Sequence, residues 1–297
     1  MHIETLKVFC DLVDLQSFSL AAERNFITQS AVSQQIRSLE DKFKRRLLER
    51  VRGRRDVKLT SAGDVFYRES KNVLAAYDHL SESLRGVVGK IGGTVRVATV
   101  YSVGLHELPS KVREFMTKFP SAKIDLEYSR TTRVIREVMD GSVELGVVAF
   151  PEAKRGLTVI PMPNNRLVLI CPPDHKYAKR AQVKVKDLRG QDFVLFERDV
   201  PTRKAIDRIL KDYGVEVRKV AEFDNIETIK RAVEVGFGLA IVPEPAVTES
   251  ARSGRLAVVK LVEKDWVRPV GVIHRSDRSL SLAAKKFVQL LETASNF

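Results

Sequence analysis

The side chains best suited to molecular recognition lie near the N-terminus, in residues 17–39, whose sequence is SFSLAAERNFITQSAVSQQIRSL. Two apolar helical faces follow each other there, separated by a polar break at Thr28. The first is predicted by the spacing of Phe18, Ala21, Ala22 and Phe26, and the second by that of Val32, Ile36 and Leu39. This layout is typical of a DNA-reading helix-turn-helix, although an amphipathic helical hairpin with no ligand would share the apolar spacing.

The second of these helices keeps its other face small and polar. Its exposed candidates for DNA contacts are Gln29, Ser30, Ser33, Gln34 and Arg37. Amide and hydroxyl groups suit base edges, so we expect base contacts from Gln29, Ser33 and Gln34. Ser30 and Arg37 suit phosphates equally well. Thr28 is the expected N-cap, which would direct free N–H groups at the DNA backbone.

A basic segment follows directly. The chain has 297 residues and a formal net charge of +13, and residues 42–58 hold nine basic residues against two acidic ones. Residues 50–59, RVRGRRDVKL, predict a tight hairpin with Gly53 in its turn. Such a wing would place Arg50, Arg52, Arg54 and Arg55 on the DNA backbone or in a narrow minor groove. A solvated basic loop is the alternative, and Arg50 is equally suited to a structural ion pair.

From Thr60 the apolar period changes to that of a heptad seam. Its members are Phe66, Val73, Tyr77, Leu80, Leu84, Val87 and Ile91. A stripe this narrow favours a helix that pairs with a second copy, and therefore a dimer. A helix lying on its own domain would also carry an apolar stripe.

After Thr94 strand and helix patterns alternate, with a restart after Pro161–Pro163, which predicts parallel α/β layers. Open sheets of this kind bind ligands where strands end and helices begin. The candidates in chain order are Ser102, Val103, Arg130, Thr131, Thr132, Phe150, Phe196, Arg198, Thr202, Asp224 and Asn225. Hydroxyls, helix N-termini and arginines suit a small anion. The alternative is that residues such as Ser102, Thr131 and Asn225 only cap helices.

Other classes of function find little support. Cys10 and Cys171 have apolar neighbours and are expected to be buried free thiols, and the N-terminus has no signal-peptide pattern. No apolar run is long enough to span a membrane, so we expect a cytoplasmic protein. No nucleotide-binding, nucleophile-elbow or metal-spacing motif is found, so neither an enzyme nor a cofactor or metal is expected.

Taken together, these parts resemble a LysR-type transcriptional regulator. The resemblance covers nearly all of the first 65 positions. There it rests on Ser17-Phe18-Ser19, Ala21-Ala22-Glu23, residues 30–36 (SAVSQQI), residues 47–50 (LLER) and residues 59–63 (LTSAG). Later it rests on Leu108-Pro109, Phe119-Pro120 and residues 235–243 (VGFGLAIVP). The family often has proline at the position of Ser30 and arginine at that of Gln34. Gln34 would favour adenine where arginine favours guanine.

The resemblance implies an α plus α/β protein with a winged helix-turn-helix at 1–59 and a linker (dimerisation) helix at 60–91. An effector domain of the type-2 periplasmic-binding-protein kind would follow at 92–297. Its lobe I would hold about 92–161 and 268–297, and its lobe II about 162–267. It further implies double-stranded promoter DNA, a small-molecule effector between the lobes, a homo-oligomer (dimer to tetramer) and RNA polymerase as partners. A solute-binding protein and a nonspecific DNA-packing protein are the alternatives. A solute-binding protein would not need residues 1–90. A nonspecific DNA-packing protein would not need a two-lobed sensor.

Overall fold

The computed structural model describes residues 2–49, 57–86, 91–263 and 266–293. The chain forms two compact units. The first is built on residues 1–90, and the second holds residues 91–139 and 143–297.

Four helices form the first unit: α1 (Ile3–Leu15), α2 (Phe18–Arg24), α3 (Gln29–Phe43) and α4 (Ser61–Gly86). Their apolar faces meet in one core that includes Phe9, Leu12, Val32, Ile36 and Leu39. Side chains start the second and third helices, because Ser17 accepts a hydrogen bond from the Leu20 amide and Thr28 accepts one from the Ala31 amide. The predicted helix-turn-helix and the Thr28 N-cap are therefore present.

One member of the predicted first apolar face lies elsewhere. Phe26 is 96% exposed, with a left-handed backbone at φ 54°. The helical periodicity does not reach it, because α2 ends at Arg24 and Asn25 is its C-cap. Ile27 packs against the core in its place. The prediction that Phe26 shares a buried face with Ala21 and Ala22 is wrong.

The long helix α4 serves two purposes along its length. Near its start Phe66 packs edge-on against Phe9 and Phe43, with ring centroids 5.0 and 5.1 Å apart. Further along, Val73, Tyr77 and Leu80 are about half exposed. The first part of the apolar stripe, with Phe66, therefore packs against the core of its own unit. The later part, from Val73 to Leu80, forms an open seam.

The predicted wing begins and ends as a hairpin. Leu48 and Leu59 form an antiparallel bridge, and the Glu49 amide donates to the Lys58 carbonyl at 2.8 Å. Residues 50–56, with Arg50, Arg52, Arg54 and Arg55, lie outside the described residues.

The second unit alternates strands and helices. Its strands are β1 (Gly93–Thr99), β2 (Ala122–Tyr128), β3 (Leu145–Ala149), β4 (Leu157–Cys171), β5 (Gln182–Val183), β6 (Asp192–Phe196), β7 (Arg218–Phe223), β8 (Ala240–Pro243), β9 (Ala257–Leu261) and β10 (Val267–Arg275). Its α-helices are α5 (Tyr101–Gly104), α6 (Leu108–Lys118), α7 (Thr131–Asp140), α8 (Pro201–Asp212), α9 (Ile226–Glu234), α10 (Thr248–Arg252) and α11 (Leu282–Glu292). Short 3₁₀ turns lie at Val185–Leu188 and Glu244–Ala246.

The sheets are mixed, which corrects the expectation of parallel layers. β1 pairs in parallel with β2 and β3, and β6 pairs in parallel with β7. β10 is antiparallel to both β3 and β4, and β4 is antiparallel to β8 and β9. The antiparallel pairs arise because β4 carries the chain out of lobe I and β10 brings it back.

Strand β4 connects the two lobes. Its first part, Leu157 to Arg166, pairs with β10, and its last part, from Leu167, pairs with β8 and β9. It runs through Pro161 and Pro163 without a break, since the fixed φ of proline fits an extended strand. The proline pair is therefore not the interruption that the sequence predicts.

Each lobe has its own core. Lobe II buries a cluster centred on β4, β6 and β8, with Phe193 and Ile241 among its members. Lobe I buries another cluster, which includes Val97, Phe115 and Phe287.

Cys10 and Cys171 are buried free thiols, as expected, and burial raises their pKa to about 12 and about 11. In the described part of the chain, no helix is both long and apolar enough to cross a membrane.

Candidate functional site

The N-terminus of α3 presents the predicted recognition residues. Thr28, Gln29 and Ser30 are exposed, and the Thr28 and Ser30 hydroxyls are hydrogen-bonded to each other at 2.9 Å. One turn later Gln34 is exposed and Ser33 is half-buried, and Arg37 is exposed beyond them. Helix α3 therefore carries one face of hydrogen-bonding side chains, opposite the face with which Val32 and Ile36 enter the core.

A basic groove continues this surface at the C-terminal end of α3. It is lined by Arg37, Glu40, Asp41, Lys44, Arg45 and Arg46. Glu40 is committed to the fold, because its Oε1 accepts hydrogen bonds from the Leu47 and Leu48 amides at 2.8 and 3.3 Å. The groove adds Lys44, Arg45 and Arg46 to the candidate DNA contacts. The charge run in the sequence contained them, but only the end of α3 places them beside Arg37.

In the second unit a cavity of about 400 Å³ lies between the lobes. It opens where β1, β2 and β3 of lobe I end, facing the ends of β6 and β7 of lobe II. Its lining residues are Val100, Tyr101, Ser102, Tyr128, Ser129, Arg130, Thr131, Thr132, Arg133, Ala149, Phe196, Asp199, Val200, Pro201, Thr202, Asp224 and Ile226.

The cavity brings together most of the predicted effector residues. Those that line it are Ser102, Arg130, Thr131, Thr132, Phe196, Thr202 and Asp224. Four others lie off the lining. Val103 is fully buried in the core of lobe I, Phe150 is half-buried with φ 51°, and Arg198 is exposed. Asn225 caps α9, with its side chain accepting from the Glu227 amide at 2.8 Å, as the capping alternative expects.

An aromatic wall of the cavity was not predicted. Tyr101 and Tyr128 stack with ring centroids 5.8 Å apart and planes inclined at 28°. Both follow from the strand-end rule, because Tyr128 is the last residue of β2 and Tyr101 lies two residues after β1. The same strand-end positions that point to the neighbouring hydroxyls therefore also point to these two tyrosines.

Hydroxyls and helix N-termini from both lobes converge on the cavity. Helix α7 starts at Thr131 in lobe I and α8 starts at Pro201 in lobe II. The N–H groups in the first turn of a helix have no partner within it, so those of Thr131, Thr132 and Thr202 are available at the cavity. Thr202 is only 4% exposed as a residue, which places its hydroxyl in a largely water-shielded position.

Arg130 bridges the lobes. From lobe I its guanidinium reaches three carboxylates of lobe II, with Glu197 and Asp199 at 3.1 Å and Asp224 at 2.9 Å. These hydrogen bonds and charges raise the pKa of Arg130, first through Asp224. The group stays well exposed, so an incoming ligand can reach it. The second cavity arginine, Arg133, pairs with Glu137 at 2.6 Å on its own helix.

Behind the cavity a buried arginine holds Ser102. Arg268, on β10, is 1% exposed and donates to the Ser102 Oγ at 2.8 Å. The same guanidinium pairs with Glu107 at 2.8 Å and with the Asn165 amide oxygen on β4. Burial raises the pKa of Glu107, and the charge of Arg268 opposes that rise. Ser102 is therefore anchored to both strands that join the lobes.

A second contact crosses between the lobes beside this network. The His106 Nε2 lies 2.7 Å from Glu227 Oε1 on α9, and Lys230 binds the same carboxylate at 3.0 Å. Burial lowers the pKa of His106, and the positive charge of Lys230 lowers it further.

Family models match both units. Residues 3–64 match the model described as "Bacterial regulatory helix-turn-helix protein, lysR family", and residues 89–296 match "LysR substrate binding domain". A protein of Cyanidioschyzon merolae named "Probable RuBisCO transcriptional regulator" is 30% identical over 293 residues, which is 97% of this chain and 96% of that protein.

Solved structures share the fold of the whole chain or of a large part of it. CbnR in complex with its target DNA has a TM-score of 0.73 and 22% identity, covering 98% of this chain and 99% of that one. The regulatory domain of CcmR from Synechocystis PCC6803, in complex with 2-PG, has a TM-score of 0.61 and 22% identity. This match covers 67% of the present chain and 96% of the CcmR chain.

Proposed function

Because this chain belongs to the LysR family of transcriptional regulators, we propose that a small anionic metabolite binds between its lobes and controls transcription from its target promoters. The observation that carries the proposal is the convergence of two helix N-termini, from α7 and α8, on one cavity together with hydroxyls and Arg130. Helix N-termini and arginine are the groups with which proteins bind phosphate and carboxylate.

The anion would bind beside Thr131, Thr132 and Thr202 and compete with the lobe II carboxylates for Arg130. In the structure Arg130 pairs with Asp199 and Asp224 across the cleft. An anion that bound Arg130 would replace these ion pairs and so change the contacts that join the lobes. Such a difference in contacts between two states is what a ligand needs in order to shift an equilibrium.

The relatives favour a small phosphorylated or carboxylated metabolite. The regulatory domain of CcmR shares the fold of the second unit, and its structure was determined in complex with 2-PG. Relatives of 26–30% identity, among them proteins of Cyanidioschyzon merolae and Synechocystis, carry the name "Probable RuBisCO transcriptional regulator". We therefore place the effector among the small acids of central carbon metabolism.

On the DNA side, residues 1–59 would read the operator through α3 and the wing, with Gln29, Ser33 and Gln34 on base edges. The seam of α4 would pair two copies, so that two recognition helices meet successive major grooves of an inverted repeat. Two such dimers would form a tetramer, and contact with RNA polymerase in the cytoplasm would complete the regulatory output.

Calorimetric titration of the full chain tests the effector. The ligands are inorganic phosphate, phosphoglycolate, 2-phosphoglycerate and glycolate. Thr202→Val keeps the shape of the side chain and removes its hydroxyl, so anion affinity should fall about tenfold. Thr117→Val, on the exposed side of α6, is the matched control and should bind like the wild type. Failure of all these acids to bind would contradict the proposed effector class.

Footprinting on the promoter upstream of its own gene tests sequence specificity. A discrete protected region should persist in excess competitor DNA. Gln34→Ala should relax preference at one base pair of that region without loss of binding elsewhere. Equal affinity for random duplexes would favour the DNA-packing alternative.

A further inference from the structure

Phe26 has the largest exposed fraction among the large apolar side chains of the described residues, at 96%. It lies in the turn between α2 and α3, two residues before Thr28, the N-cap of α3. It packs into none of the apolar clusters of the first unit, whereas its neighbour Ile27 does. An exposed phenylalanine alone requires no explanation.

Its backbone makes the residue type unexpected. Phe26 has φ 54°, in the left-handed region that glycine and asparagine enter readily and bulky residues avoid. The amide is held there by a hydrogen bond to the Glu23 carbonyl at 3.1 Å, so the turn itself imposes the conformation. Phenylalanine at this position therefore gains nothing from packing and is disfavoured by the backbone. A smaller residue would serve the folded chain better.

We propose that Phe26 is a DNA-contacting residue, whose ring packs on the apolar surface of the operator: thymine methyl groups and deoxyribose carbons. Its α-carbon lies within about 7 Å of that of Thr28, because two residues span no more than that distance. The N-terminal residues of a recognition helix enter the major groove, so Phe26 extends the polar surface of Thr28, Gln29 and Ser30 with an apolar group. Phenylalanine is among the side chains that contact thymine methyl groups.

This inference concerns affinity for DNA and is independent of the effector. Phe26→Asn removes the ring and suits the left-handed backbone, whereas Phe26→Leu keeps an apolar side chain with the same backbone cost. We expect Phe26→Asn to lower operator affinity about fivefold to tenfold while its thermal unfolding temperature is unchanged or higher. Phe26→Leu should retain most of the affinity. The salt dependence of binding should not change, because no charge is removed.

The measurement is fluorescence anisotropy with the full chain and a duplex carrying the footprinted region of its own promoter. Replacing single thymines by deoxyuridine separates the two sources of apolar contact. If methyl groups are contacted, one such replacement weakens the wild type and leaves Phe26→Asn unaffected; if sugars are contacted, none does.

Wild-type operator affinity in Phe26→Asn would overturn the proposal. If transcription then fell while DNA binding stayed intact, the ring would belong to a protein contact instead. A loss of affinity accompanied by a lower unfolding temperature would also overturn it, because Phe26 would then be structural.

Discussion

Among single residues, Arg130 has three carboxylates around it in the cavity, and their charges would oppose the binding of the proposed anion. Glu197, Asp199 and Asp224 surround its one positive charge. They supply more negative charge than the guanidinium supplies positive charge. The proposed anion would therefore bind against a local excess of carboxylates, and removing one of these carboxylates should tighten its binding.

Asp199→Asn should tighten binding of phosphoglycolate or phosphate about threefold. A unit charge about 6 Å away in a water-filled site is worth somewhat less than 1 kcal/mol. Titration calorimetry at low ionic strength measures the change, which should shrink as salt is added. Asp212→Asn, at the far end of α8, is the control and should have no effect. Weaker binding by Asp199→Asn would mean that this carboxylate receives a donor group of the ligand.

At the scale of elements, the open seam of α4 is an apolar stripe that stays exposed in a single copy of the chain. Val73, Tyr77 and Leu80 follow the spacing of a paired helix and are 48%, 50% and 56% exposed. Leu80→Glu would bring two like charges together in a paired seam. We expect sedimentation at micromolar concentration to show a smaller assembly than that of the wild type. Met116→Glu, at an exposed position of α6, should keep the wild-type assembly, and an unchanged assembly in Leu80→Glu would place the interface elsewhere.

The sequence identified most elements because their periodicities are local. α8, α9, α11 and the strands β1, β2 and β7 lie where their apolar patterns place them. What it missed depends on distant partners. The direction of β4 and β10 follows from which strands they pair with, and the exposure of Phe26 follows from a helix that ends two residues before it.

For the candidate site, the strand-end rule located the cavity but could not orient side chains within it. Ser102 and Thr202 line the cavity as expected, whereas the adjacent Val103 points into the core. The carboxylates around Arg130 come from residues 67 to 94 positions away in the chain. No local pattern reports such a juxtaposition. Asp199 was missed for this reason.

At the scale of the whole molecule, acid should destabilise the protein through the half-buried His106. The folded state lowers the pKa of His106 below the value of about 6.5 for an unfolded chain. As the pH falls through that value, the unfolded state binds the proton first. The free energy of unfolding contributed by neutral His106 is therefore present above about pH 6.5 and is lost below it.

Thermal unfolding between pH 7.5 and 5.5 checks this. The unfolding temperature of the wild type should fall with pH, and His106→Gln, which can still donate to Glu227, should fall less. Burial also lowers the pKa of His175, so this residue should contribute to the same loss of stability in acid. The pH profile of His175→Gln is therefore measured beside that of His106→Gln. An identical pH profile for the wild type and His106→Gln would exclude the inter-lobe histidine as the cause.

The path of β4 and β10 also sets the order in which the chain can fold as it leaves the ribosome. The core of lobe II is drawn from one continuous segment, Leu167 to Trp266, so it is complete before β10 is synthesised. Lobe I begins earlier, at β1, but its sheet lacks the strand between β3 and β4, and its core lacks Phe287 of α11, until the last thirty or so residues emerge. The lobe that is translated first is thus the last to close. A chain that ended at Trp266 and left the ribosome would have every core residue of lobe II, but it would expose the unfinished sheet of lobe I to chaperones.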